Sequence, residues 1–175
     1  MTDTALYAPS WVDKSLLPTE LVTMIAPGLY QGGTADDAWL GAATTRRDRD
    51  DTSDFDAVVT LFAWALPCSW GVEELRYGFP DAHPDLADMT RVVAAARWAH
   101  ERWSAGDRVL IRCQAGLNRS GLVTVLVLML SGRTAHDAIR LVREHRSAYA
   151  LFNPDFVDWL VDRAPAALAS DVVPG

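Results

Sequence analysis

Lysine is nearly absent from this chain, and cysteine is scarce. The one lysine is Lys14; all other basic residues are arginines, and Asp plus Glu outnumber them, 23 against 16, for a formal charge of −7. That balance excludes the broad cationic face that nucleic acid or an anionic membrane would need, although it leaves room for a small positive pocket. Two cysteines, Cys68 and Cys113, make no disulfide framework, and without a CxxC pair they do not suggest zinc. His100, His136 and His145 stand at no metal-ligand spacing. The longest mainly apolar run, Leu122 to Leu130, is far short of the roughly 20 residues that span a bilayer. The opening "MTDTALYAPSW" lacks a basic segment followed by a long apolar one, so no secretory signal is expected. Together these absences lead us to expect a soluble, cytoplasmic protein with no metal and no cofactor, in a compartment where a free thiol survives.

What is present suits one domain. With 175 residues and 50% hydrophobic composition, a full core is affordable and a second domain is not expected. The domain is read as 1–175, with its core at about 26–168 and the N-terminal stretch and C-terminal tail peripheral. The stretch up to about Ala26 is mixed and is expected to wrap the surface. "APGLYQGG" reads as a short strand around Leu29 to Gln31. "TADDAWLGAA" suits a helix capped by Thr34, and "TTRRDRDDTSDFD" a charged loop. "AVVTLF" is a buried strand and "ELRYGF" another. "FPDAHPDLAD" leads into a helix that ends near Ser104, with Asp85 as the expected cap. On that helix Met89, Val92, Val93, Ala96, Ala99 and Trp103 face inward.

"RVLIRC" is a strand, and a helix follows from Ser120 to about Ser131, with Ser120 as its cap. Its β-branched content would suit a strand, but a buried helix is apolar all round. Further helices follow in "GRTAHDAIRLVREHRS", capped by Thr134, and in "NPDFVDWLVDRA", with Asn153 as cap and Pro154 at the first helical position. Strands alternating with helices predict an α/β fold with a central, mainly parallel sheet of four to five strands covered by helices. Such sheets bind ligands at the carboxyl ends of their strands, where Cys113 sits.

Between Cys113 and Arg119 lie Gln114, Ala115, Gly116, Leu117 and Asn118. A tight strand-to-helix loop can turn successive backbone N–H groups inward as an anion nest, and the helix N-terminus adds partial positive charge. Gly116 permits the backbone angles of such a turn. Arg119 closes the ring with a planar fork that matches two phosphate oxygens. The same field favours a thiolate at Cys113. A nucleophile and an electrophile's cradle in one loop point to displacement at phosphorus through a cysteinyl-phosphate. Cysteine is also a small hydrophobe that is often buried and inert, but the strand before, the glycine within and the apolar helix beyond would rarely coincide by chance.

"CQAGLNRS" resembles the Cys-x5-Arg-Ser/Thr signature of the protein tyrosine phosphatase superfamily, and the size and layout resemble its dual-specificity branch. "APGLYQGG", "FDAVVTL" and "ALFNPDFVDWL" are similar to the opening strand, the next strand and the closing helix of such domains, so the resemblance spans about 26–163. It implies that Cys113 is the nucleophile, that Arg119 and the amides of Gln114, Ala115, Gly116, Leu117 and Asn118 bind phosphate, and that Ser120 helps the sulfur leave. One departure stands out: the family usually has His before the nucleophile, and here it is Arg112. Strand alternation should point Arg112 away from the cysteine.

The reaction needs a general acid to protonate the leaving oxygen. The family places an Asp about thirty residues before the nucleophile. "FPDAHPD" offers Asp81 and Asp85; Asp81 is the expected acid, and Asp85 suits the helix cap. Asn153 resembles a polar position near the active-site floor of relatives, although a helix cap explains it equally. Arg146 is a weaker support candidate, with an ion pair the simpler reading. Trp64 and Trp70 flank the turn after the "AVVTLF" strand, where packing is the simpler role. A Cys68–Cys113 disulfide is a pairing known only by analogy.

The resemblance implies a phosphoprotein phosphatase acting on phosphotyrosine, with phosphoserine and phosphothreonine left open. The implied partner is a phosphorylated protein, with no nucleic acid and no membrane, and the chain is expected to be a monomer. Two alternatives remain at this point. "GLNRSG" also resembles loops of RNA 5′-triphosphatases in the same superfamily, and a pseudophosphatase would bind phosphoprotein without turnover.

Overall fold

A computed structural model of the protein describes residues 17–34 and 52–170. Lys14, the helix expected over "TADDAWLGAA", most of the charged loop that follows it and the last five residues lie outside the described residues.

The sheet has five strands: β1 (Val22–Ala26), β2 (Leu29–Gly32), β3 (Ala57–Thr60), β4 (Glu73–Arg76) and β5 (Val109–Arg112), in the spatial order β1-β2-β5-β3-β4. All pairings are parallel except that of β1 with β2. The sequence reading missed β1, which it left as surface wrapping. Val22, Thr23 and Ile25 favour a strand, and Gly28, at φ 81°, supplies the left-handed residue that turns the chain back into β2. Only Ile25 is buried in β1, as befits an edge strand with too weak an apolar pattern to read in advance. β3 and β5 are buried at every residue, the continuous apolar pattern of strands covered on both faces.

The parallel register levels the strand ends. Gly32 and Thr60 both pair with Arg112, so Gly33, Leu61 and Cys113 emerge side by side at one edge of the sheet. Along β5, Val109 and Ile111 join the main core, while Leu110 and Arg112 alternate to the opposite face and are buried there too.

The described residues also form five α-helices: α1 (Met89–Ser104), α2 (Arg119–Leu130), α3 (Ala135–His145), α4 (Pro154–Asp162) and the short α5 (Ala164–Ala169). α2 is the hub; it packs on α1, α3 and α4 and on β2 and β5, and every residue from Ser120 to Leu128 is buried. This enclosure overrides the strand preference of its valines. α3 and α4 carry the expected caps, Thr134 and Asn153, each accepting a backbone N–H two or three residues on. α5 extends the chain in helix where the sequence showed no separate element.

Two expected caps are corrected. The cap of α1 is Asp88, whose carboxylate accepts the N–H groups of Thr90 and Arg91. Asp85 instead lies in a 3-10 turn, Pro84–Leu86, that intervenes before the helix, and its carboxylate faces Arg163 at 3.4 Å. Ser120 does not cap α2, which begins at Arg119, because its hydroxyl is used elsewhere. Asp88→Ala should therefore cost about 1 kcal/mol, whereas Asp85→Ala should stay within about 0.5 kcal/mol. Chemical denaturation of the two variants checks the assignment, and a larger loss for Asp85→Ala would contradict it.

Candidate active site

Cys113 leaves β5 with its N–H donating to the Gly32 carbonyl. The chain then turns through Gln114–Asn118 into α2, and the carbonyls of Gln114 to Leu117 are held from outside the turn. Gln114 O accepts the Thr34 N–H at 3.0 Å and Leu117 O the Leu151 N–H at 3.3 Å, while Asn118 O takes the Leu122 N–H inside the helix at 2.8 Å. Gly116 O accepts both Gln31 Nε2 and Arg146 Nε, each at 3.0 Å. Ala115 O faces Arg146 Nη2 at 3.5 Å. Arg146 is itself fixed on the Glu20 carbonyl and the Thr23 hydroxyl. With the carbonyls held outward, the rigid peptide planes turn the amides the other way. Among the described residues, the N–H groups of Gln114 to Asn118 donate to no protein acceptor.

Close packing explains the glycines. Gly116 has φ +70°, and a Cβ there would lie 2.4 Å from Gly32 C and 2.5 Å from Gly33 N. A Cβ on Gly33 would meet Gln114 O at 2.8 Å. The end of β2 and the turn thus touch backbone to backbone, which no larger residue allows.

Cys113 is 2% exposed, and its thiol donates to Ser120 Oγ at 3.3 Å. Arg119 is anchored by Nη1, which donates to the carbonyls of Leu61 and Phe79, both at 3.2 Å. The Phe62 ring lies against its guanidinium, 5.5 Å from Cζ. Its Nε is buried and, among the described residues, has no partner. A buried guanidinium N–H without an acceptor is costly, and an anion in the turn would satisfy it.

Asp81 stands at the same mouth. One carboxylate oxygen accepts Asn118 Nδ2 at 3.0 Å and the other Asn153 Nδ2 at 3.3 Å. Asn118 Oδ1 in turn accepts the Asn153 N–H, and Asn153 Oδ1 caps α4. Asn153 thus caps α4 with one atom of its amide and holds Asp81 with the other.

Arg112 points to the far face of the sheet, as alternation requires, and is 1% exposed. Its Nε donates to Thr60 Oγ1 at 3.0 Å; Nη2 donates to Leu66 O at 2.7 Å and lies 3.4 Å from Glu74 Oε1 and 3.5 Å from Cys68 Sγ. Thr60 passes the contact on, donating to Glu74 Oε1 at 2.6 Å. Cys68 belongs to this cluster and Cys113 to Ser120; both are free thiols, and nothing in the geometry supports the disulfide. Burial pushes the Cys68 thiol up, with Arg112 partly offsetting it.

The structure thus gathers Cys113, the turn Gln114–Asn118, Arg119, Ser120 and Asp81 at one mouth and leaves Asp85 outside. Arg146 proves to hold backbone carbonyls of the turn. Sequence reasoning missed Gln31, Leu151 and Phe62. The one available signal was the Gly-Gly pair after Gln31, which marks a close backbone approach. His83 accepts the Asp85 N–H in the loop. Trp64 and Trp70 are not packed: they are 82% and 103% exposed.

No protein-family model matches the chain. It is 25% identical over 136 residues to Putative tyrosine phosphatase 123R of Invertebrate iridescent virus 6, across 74% of this chain and 80% of that one. Among solved structures, Tk-PTP in its active form superposes with a TM-score of 0.64 and 27% identity, over 87% of this chain and 98% of the other. Human DUSP28 does so with a TM-score of 0.66 and 25% identity, over 86% and 96%. In sequence and fold the chain is similar to tyrosine and dual-specificity phosphatases. It is a phosphatase, with a five-stranded α/β architecture.

In this phosphatase the Arg112 cluster carries a pH signature. Burial pushes the Glu74 carboxyl up, but hydrogen bonds from the Thr60 hydroxyl and the Cys68 amide, with Arg76 beside it, outweigh burial and hold it below its ordinary value of 4.5. A carboxyl held low in the folded state stabilises the fold above 4.5, and the contribution fades as pH falls through the lower folded value. Glu74→Gln should therefore be less stable than the wild type at neutral pH, and the gap should narrow between about pH 6 and about pH 3. Denaturant titrations across that range test this, and a gap independent of pH would contradict it.

Proposed function

We propose that the protein is a phosphoprotein phosphatase that hydrolyses phosphotyrosine, and phosphoserine or phosphothreonine where they reach the pocket, through a cysteinyl-phosphate in one catalytic domain working in the cytoplasm. The observation that supports this best is the turn that follows Cys113: carbonyls held outward and, among the described residues, amides without protein acceptors and a buried Arg119 Nε without a partner. The phosphate sits on the amides of Gln114 to Arg119 and on the free edge of the Arg119 fork.

Cys113, as thiolate, attacks phosphorus. An S–P bond forms as the P–O bond to the leaving group breaks, and Asp81, protonated, gives its proton to the departing oxygen. The Asp81 carboxylate then takes a proton from water, whose oxygen attacks the phosphorus. The S–P bond breaks, the Ser120 hydroxyl donates to the sulfur that regains its charge, and inorganic phosphate leaves. Asn118 and Asn153 hold Asp81 at its station throughout.

Cys113→Ser is expected to lower turnover of 4-nitrophenyl phosphate and phosphotyrosine peptides by at least about 10⁴-fold while retaining phosphate binding. Near-normal turnover would refute the nucleophile. Asp81→Asn should slow hydrolysis by about 10²- to 10⁴-fold for substrates with basic leaving groups and far less for good ones. The same pattern from Asp85→Asn instead would reassign the acid. Faster release of phosphate from triphosphate-ended RNA than from phosphopeptides would overturn the substrate class.

A further inference from the structure

The segment after β3 is pinned in an unusual way. Phe62 to Ala65 forms a β-turn closed by the Ala65 N–H on the Phe62 carbonyl at 3.2 Å, with Ala63 and Trp64 at its corners. Two arginines fix it from below. Arg76 Nη2 donates to Ala65 O at 2.8 Å and to Ala63 O at 3.4 Å, while Arg112 Nη2 and Arg76 Nη1 both donate to Leu66 O. Glu74 ties the two guanidinia together. Ala63 also packs so tightly on Gly78 that a Cβ there would lie 2.9 Å from its own.

A turn pinned through its carbonyls by two arginines would ordinarily display a small polar residue. This one displays an indole that is 82% exposed and so adds little to the fold. The same turn begins at Phe62, whose ring covers the Arg119 guanidinium, so it rises directly from the phosphate pocket. The Cα of Trp64 lies within about 7 Å of that of Phe62, well inside the reach of an indole.

We propose that Phe62 and Trp64 form a fixed aromatic wall that grips the ring of an aryl phosphate, so that the enzyme selects phosphotyrosine over phosphoserine and phosphothreonine. The proposal rests on the phosphatase reading of the pocket and adds its substrate preference. A tyrosyl ester carries a ring out of the pocket beside the wall, whereas a seryl ester presents only a methylene. Because the turn is fixed before the substrate arrives, little ordering cost offsets the stacking. Trp70 sits in a separate turn, closed from Val72 to Ser69.

Binding can be separated from turnover by calorimetry on the Cys113→Ser protein, with phenyl phosphate and inorganic phosphate as probes. Adding Trp64→Ala should weaken phenyl phosphate about five- to tenfold and inorganic phosphate by less than about twofold, with Trp64→Phe restoring most of the loss. Because Trp64 is exposed, its removal leaves the core intact. Equal effects on both probes, or no effect on either, would overturn the wall. Failure of phenyl phosphate to bind at all would overturn the pocket and the wall with it. If the protein with Cys113 intact hydrolysed no phosphomonoester while this discrimination persisted, the catalytic reading would fail and the wall would stand.

Discussion

The peptide carbonyls from Gln114 to Leu117 are all held by groups from outside the turn, and the site depends on that one arrangement. A peptide plane is rigid, so a carbonyl held outward turns the following N–H inward. The holders come from four separate places: the chain just beyond β2, the side chain of Gln31 within it, Arg146 at the end of α3, and the Leu151 backbone ahead of α4. None is near the turn in the chain, and each is positioned by the hub helix α2 or the level ends of the parallel strands. The turn is thereby built before any ligand arrives, which is what electrostatic preorganisation requires.

What was legible in the sequence follows from the range of the interactions. The spacing of Cys113 and Arg119, the glycine between them and the flanking apolar runs are local, and they placed the turn at the carboxyl end of β5. β3, β5 and the helices capped by Thr134 and Asn153 were equally readable, because buried strands and caps leave continuous or adjacent signals. The outward braces were not. Gln31 meets Gly116 across 85 positions and Arg146 meets it across 30, and neither residue type announces a carbonyl partner.

Errors at short range had a different cause. Asp85 and Asp88 are both plausible caps by composition, and only the 3-10 turn opened by Pro84 decides between them by delaying the helix. Ser120 and Asn118 could each have capped α2, yet both side chains are diverted, to Cys113 and Asp81. Capping preference is worth about 1 kcal/mol, so tertiary hydrogen bonds override it readily. At Asn153 the two demands agree, since an amide has an acceptor for the helix and a donor for the acid.

Arg112 stands directly before Cys113 yet serves the opposite face of the sheet. The turn is braced without it, because Gln31 and Arg146 occupy the carbonyls from the other side. The side chain at 112 is then free to serve the opposite face. A buried guanidinium is costly unless fully engaged, and Thr60, Leu66 and Glu74 supply that engagement. The segment it secures contains Leu61 and Phe62, whose carbonyl and ring hold Arg119. Arg146 therefore supports the amide side of the pocket and Arg112 the guanidinium side. Position 112 must meet several acceptors at once, which is why an arginine, with its several donors in one plane, fits where a lysine's single point charge would not.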